Sequence, residues 1–254
     1  MPPERPGIYV HANIKDAHMD TSQVLKRCTS SPGMMDEQKV AKCIAILEKE
    51  YGVPKQNEVD PVDLLIMTIL SQNTSDTNSL RAFAILKSAF CNYEEILAAP
   101  VEAVADAIRA GGLAEIKARR IKEALSRMKQ DAGAITLFFL EDMEKDEAMT
   151  YLLSMPGVGP KTASVVLLFA FGMPFLPVDT HVYRVSRRLG LLAEDVRLEK
   201  AQPILERIVP ADKYHSLHLN LITHGRLICR ARGPKHVECA LHSCCDYYLQ
   251  GQKP

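Results

Sequence analysis

Lys161 follows the turn Pro156-Gly157-Val158-Gly159-Pro160, which interrupts two apolar stretches within residues 152–166. Glycines at 157 and 159 allow positive φ and let the backbone approach another molecule closely. Pro160 suits the first position of a following helix, and the N–H groups at that helix start form an anion-binding end. Lys161 lies in the first turn, where the positive end of the helix dipole tends to lower its pKa. Eighteen residues on, Asp179 stands in "PVDTHVYRVSRRLG", between an extended segment and a helix that turns Val182, Val185 and Leu189 inward. Such an aspartate caps its helix. A capping carboxylate near an amine of lowered pKa is also a nucleophile with an electrostatic partner. Spacing alone leaves the choice open, because a tight αα-hairpin link with a solvated lysine fits the turn about equally well. A P-loop does not fit: the glycines are two apart, Pro160 precedes the lysine and no strand leads into the turn.

A second group is rich in sulfur. Of seven cysteines, Cys229, Cys239, Cys244 and Cys245 crowd into the tail "CRARGPKHVECALHSCC". The N-terminus has no long apolar leader, so an intracellular location is expected. In a reducing compartment, clustered cysteines suggest metal before disulfides. Cys28, Cys43 and Cys91 lack evident partners and read as ordinary thiols.

The elements that must position these groups read as helices. Residues 1–35 mix Pro, Gly, Ser, Lys and His without a period, and are expected to be a flexible extension. A helix is expected after Met35, with Val40, Cys43, Ile44 and Leu47 on one face. "PVDLLIMTILSQ" starts with Pro61 in its first turn. "SDTNSLRAFAILKSAF" has Ser75 or Asp76 as a cap and a stripe of Leu80, Phe83, Ala84 and Leu86. Shorter amphipathic units divided by Pro or Gly continue to the tail, with little strand-like alternation. The fold class is all-α. Hydrophobic residues make up 47% of the 254, enough for a core, and no apolar run is long enough to span a membrane. Formal net charge is zero, so a nucleic-acid partner would need a local basic face. Three basic groups are candidates: Lys117, Arg119, Arg120 and Lys122; Arg184, Arg187 and Arg188; and Arg226, Arg230, Arg232 and Lys235. His181 and His224 read as hydrogen-bonded structural histidines.

Taken together, "LSMPGVGPKTA", "VDTH" and the cysteine tail resemble the helix-hairpin-helix (HhH-GPD) DNA glycosylases, in their endonuclease III branch, from about residue 36 to the last cysteine. The resemblance implies two helical domains flanking a DNA cleft. One is a six-helix unit at 54–172 containing the hairpin. The other is discontinuous, joining 36–53 to 173–250, and carries the cysteine-rich loop. Gly157, Val158 and Gly159 match the hairpin that binds a DNA phosphate, often through a monovalent cation, and the target base is flipped out of the duplex. Lys161 matches the lysine that attacks the sugar C1′, giving a Schiff base and β-elimination. Asp179 matches the aspartate that stabilises positive charge on the sugar and assists proton transfer. Gln72 and Asn73 in "LSQNTSD" resemble the polar plug that fills the gap left by the base, although turn and capping chemistry explains either about as well. Leu113 matches the apolar wedge entering the stack; a buried helix-start leucine is the commoner use.

The resemblance also implies a [4Fe–4S] cluster on C-x6-C-x2-C-x5-C. Cys229, Cys239 and Cys245 occupy three of these positions, and His236 stands at the second. Three arrangements are open. His236 is the fourth ligand; Cys244 swings in instead; or the site takes zinc or nothing. The expected function is a base-excision-repair DNA glycosylase with AP-lyase activity on oxidised pyrimidines, monomeric, with damaged or mismatched double-stranded DNA as partner and no membrane. The alternatives are a glycosylase for mismatched thymine or uracil or for modified cytosine, a non-catalytic DNA-binding protein, and a redox sensor.

Overall fold

The structure is a computed structural model and describes residues 32–251, with side chains from residue 37. Most of the extension expected at 1–35 lies outside the described residues. Among those described there is no strand. The helices are α1 (Pro32–Tyr51), α2 (Pro61–Ser71), α3 (Asp76–Ala89), α4 (Tyr93–Ala98), α5 (Val101–Ala107), α6 (Ala114–Ala132), α7 (Lys145–Leu153), α8 (Pro160–Phe171), α9 (Thr180–Leu189), α10 (Leu198–Ile208), α11 (Tyr214–Leu227) and α12 (Asp246–Gln250), with short 3-10 turns between several of them. None is long and apolar enough to cross a membrane.

Local chemistry starts and stops these helices. Asp60 caps α2, its carboxylate accepting from the amides of Val62 and Asp63. Ser75 caps α3 by accepting from Asn78 N–H, and Asp179 caps α9 by accepting from His181 and Val182. Each such side chain satisfies amides that the first turn leaves without helical partners. Gly172 and Gly190 end α8 and α9 in the left-handed conformation.

Two buried apolar clusters organise the chain. The first gathers side chains between Val62 and Phe175, among them Leu65, Ile69, Leu86, Ile121, Leu125, Leu152, Val166 and Leu167. The second joins Val40, Cys43, Ile44 and Leu47 of α1 to Val182, Val185 and Leu189 of α9, to α10 and α11, and to the tail. α8 serves both: Val166 and Leu167 lie in the first cluster and Leu168 in the second.

One helix sits in a different phase from that expected. Leu80 of α3 is 43% exposed, and the buried face carries Ser79, Ala82 and Leu86. The reason is contact distance. A Cβ added to Gly111 would lie 3.3 Å from that of Ala82, so the small residue faces inward where the 3-10 turn Arg109–Gly111 presses on α3, and the larger leucine is turned out.

Candidate functional site

The link from α7 to α8 is a folded turn. Met155 N–H donates to Leu152 O, and Val158 N–H to Met155 O at 3.1 Å. Val158 is buried and anchors the turn. Gly157 has φ +78° and its missing Cβ is filled by the Arg120 side chain, so glycine is required there by the fold itself. Gly159 differs. It is extended, with φ −97°, and a Cβ would meet nothing within 4 Å. No side chain caps α8, so its first-turn amides point outward beside Pro160 and Lys161. Gln72 Nε2 donates to Gly157 O at 3.0 Å and to Thr162 Oγ1 at 3.4 Å, and Arg120 Nη1 donates to Gln72 Oε1 at 3.1 Å.

Solvent reaches Lys161, yet protein crowds its ammonium, and this desolvation lowers its pKa. Asp179 and Asp76 pull the other way, while Arg226 reinforces the lowering. Asp179 is half-buried, and its Oδ1 is taken by His181 N–H at 2.8 Å and Val182 N–H at 2.7 Å. Behind it, His218 is buried, with Nδ1 2.8 Å from Pro177 O. Burial pushes its pKa down to about 4 and keeps the ring neutral. Burial also lowers His181. In the sequence Asp76 reads only as a possible helix cap. Since Ser75 takes the cap, the Asp76 carboxylate reaches Arg226 Nη2 at 2.7 Å and faces the lysine. An acid directly after a serine cap was the available signal.

Asn73 and Leu113 are the two non-glycine residues with positive φ among those described, at 54° and 50°. Both are exposed, Leu113 at 52%, so the leucine is not a buried helix start. Ile116, one turn along α6, is also exposed and extends this apolar edge, which the sequence reading missed. The basic group after Leu113 does not form a face. Lys117 is buried; Lys122 Nζ donates to the carbonyls of Ile96, Leu97 and Ala99; Arg120 holds Gln72; Arg119 alone remains exposed, 3.5 Å from Glu115.

The tail departs from expectation in the same way. Arg184, expected on DNA, donates instead to Cys229 O at 3.1 Å and Gly225 O at 2.9 Å. Arg188 donates to Arg230 O, Ala231 O and Cys229 Sγ. The carbonyls of an irregular loop need donors, and guanidinium groups supply them. Arg230 and Arg232 are exposed.

Cys229, His236, Cys239 and Cys245 line one small pocket, together with Arg188, His224, Leu241 and Tyr247 among others. Cys244 does not line it. Its Sγ is 3.6 Å from Cys43 Sγ and bonds Leu241 O, which buries it against α1. The swing of Cys244 into the site is therefore not the arrangement found. Among the described residues no three His, Cys, Asp or Glu side chains converge as a single ion requires, whereas zinc needs four donors about 2.0–2.3 Å from one point. The four side chains line the same pocket without converging on one point. Burial pushes Cys239 up to about 11 and raises Cys245 as well, so these thiols are neutral unless a bound cation holds them as thiolates. His224 is structural: its Nδ1 is 2.9 Å from Tyr51 Oη, its Nε2 is 3.5 Å from Cys239 Sγ, and burial takes its pKa down to about 4.

Residues 66–211 match the HhH-GPD superfamily base excision DNA repair protein family. An Arabidopsis thaliana protein that carries the provisional name of a DNA glycosylase is 38% identical over 179 residues, which is 70% of this chain and 61% of its own length. Endonuclease III of Thermotoga maritima is 35% identical over 196 residues, 77% of this chain and 87% of the enzyme. A trapped endonuclease III–DNA covalent intermediate superposes with a TM-score of 0.72 at 30% identity, covering 85% of this chain and 99% of that one.

Proposed function

The chain belongs to the HhH-GPD superfamily of base excision DNA repair proteins, in its endonuclease III branch, and on that premise we propose that it is a DNA glycosylase with AP-lyase activity, acting as a monomer inside the cell on oxidised pyrimidines in double-stranded DNA. The observation that carries this reading is Lys161: an amine in the first turn of α8, next to an uncapped helix start, desolvated and faced by Asp179 and Asp76.

In this reading the hairpin 157–159 and the free amides of α8 seat a phosphate, with or without a monovalent cation, and so fix the strand relative to Lys161. Gly159 supports this, since neither φ nor packing within the chain demands a glycine there. The neutral amine of Lys161 attacks C1′, the C1′–N bond breaks, and the base leaves with a proton. Loss of the ring oxygen from C1′ gives a protonated Schiff base, which acidifies the C2′ hydrogen. Its removal expels the 3′ phosphate and nicks the strand. Asp179 has Oδ1 tied to two amides, which leaves Oδ2 to stabilise positive charge at the sugar and to carry the proton. Asn73 and Leu113, held exposed, enter the stack as plug and wedge.

The cavity of Cys229, His236, Cys239 and Cys245 is the place for a [4Fe–4S] cluster in this proposal, with His236 as the nitrogen ligand. Such a cluster would supply a one-electron centre, and imidazole ligation raises its potential.

Borohydride trapping on a duplex with an abasic site tests the lyase. A covalent adduct in the wild type and none in Lys161→Ala supports the assignment; an adduct of equal yield in the variant overturns it. Iron, sulfide and visible absorption of anaerobically purified protein test the cluster, and a colourless, iron-free preparation overturns that part alone.

A further inference from the structure

Lys117 is the largest fully buried side chain among the described residues, 1% exposed, and it is charged in its ordinary state. Its Nζ donates to Leu70 O at 2.7 Å and to Gly111 O at 2.8 Å. These carbonyls belong to two separate turns of the chain. Leu70 lies in the last turn of α2, three residues before Asn73; Gly111 ends a 3-10 turn, two residues before Leu113. One ammonium group thus ties together the backbones leading into the two left-handed, outward-facing residues Asn73 and Leu113.

Burial of an ammonium is costly unless it is hydrogen-bonded, and desolvation with the nearby Arg120 lowers the pKa of this one. Two charge-assisted bonds offset the cost, and the C-terminal carbonyls of α2 carry the negative end of that helix dipole. A methionine would fill the same volume without desolvating a charge. The polar head therefore answers to the carbonyls and not to packing. One turn further along α6, Arg120 bonds Gln72, which in turn bonds the hairpin at Gly157 O. One helix face thus holds the plug loop, the wedge loop and the hairpin in fixed relation.

We propose that Lys117 is a positioning residue for base extrusion: it sets the spacing between Asn73 and Leu113, so that plug and wedge enter the stack together. This rests on the plug and wedge roles given to those residues above. Extrusion from a paired, stacked site costs a few kcal/mol, and less where the base is already unpaired. Loosening the two loops should therefore weaken reaction at a stacked base far more than at an unstacked one.

The test measures release of thymine glycol by Lys117→Met from a fully paired duplex and from the same sequence with the lesion in an unpaired bubble. The melting temperature shows that the variant is folded. The expected result is a loss of at least tenfold on the paired duplex and a change within about twofold on the bubble. Equal rates on the paired duplex overturn the proposal, and so does an equal loss on both substrates, which would mark a general structural role. If Lys117→Met does not fold, Lys117→Gln, with a shorter stem and a neutral donor, should show the same selective loss in smaller measure, and absence of selectivity there overturns it too. Leu113→Ala and Asn73→Ala are run alongside. Wild-type release by both sinks the plug and wedge reading, and this proposal with it. Loss in those variants beside normal release in Lys117→Met sinks this proposal alone. A wild type that releases base from neither substrate overturns the glycosylase reading and the proposal together.

Discussion

The edge formed by the hairpin, Asn73 and Leu113 is tied by side chains of α6, whereas the cysteine loop is tied by arginines of α9 and lines a pocket. At the first, left-handed residues and side chains from α6 fix each backbone turn: Lys117 on Leu70 and Gly111, Arg120 on Gln72, Gln72 on Gly157. At the second, arginines from α9 donate to the loop carbonyls, and Arg188 lines a pocket with three thiols and an imidazole. A region complete in itself can be held ready for its ligand. If the proposed cluster occupies the pocket, its binding becomes part of the folding free energy of the cysteine loop.

The sharpest separation of the two should come from Lys161→Ala set beside Cys245→Ser. The first is expected to lower abasic-site nicking by more than about 10³-fold with hydrogen exchange unchanged in both regions. The second should speed exchange across 229–245 while the folded fraction keeps its adduct yield within a few fold. Nicking that falls equally in both variants would erase the distinction.

Acid should separate them next. The first cluster's span, from Val62 to Phe175, contains no histidine, and His218 lies among the helices of the second. Its pKa falls from 6.5 unfolded to about 4 folded. The unfolded chain therefore binds the proton first. The stability this represents is complete above pH 6.5 and is lost as pH falls towards 4, up to roughly 3 kcal/mol. Exchange of α11 amides should accelerate between pH 6.5 and 4.5 before that of α2 and α6, and the acid sensitivity should shrink in His218→Phe.

A smaller effect is expected at Gly157. Alanine there must hold φ near +78°, at about 1–2 kcal/mol. The melting temperature should drop by a few degrees, with DNA affinity reduced as the hairpin turns. An unchanged melting temperature would mean that the turn relaxes and is less fixed than its bonds suggest. The smallest effect is at Asp76→Asn. Removing a group that raises the Lys161 pKa should move the acid limb of the nicking pH profile downward. An upward shift would show that Asp76 does not face the amine in the working enzyme.

Much of this was legible in the residues. The face of α1, the inward side of α9, and the start of α8 at Pro160 follow from period and cap. What was not legible is where long side chains end. Lys117, Lys122, Arg184 and Arg188 read as basic faces, yet each is directed to carbonyls of turns whose shapes the local sequence does not define. Their flexible stems let the charge settle wherever unpaired backbone oxygens lie. Leu80 misled for a related reason, since the inward face of α3 is chosen by how closely Gly111 approaches Ala82. The motif spacing favours Cys245 over its neighbour Cys244, and the packing of Cys244 on Cys43 agrees with it.

The two glycines of the hairpin answer to different selectors. A lineage that replaced Gly157 would meet the consequence at once, in the folding of its own chain. One that replaced Gly159 by alanine would fold as before, since its φ is ordinary and the space beyond is open. Such a change would drift unseen through any screen for expression or thermostability, and under the proposed phosphate-seating role it would surface only as a failure to engage the strand.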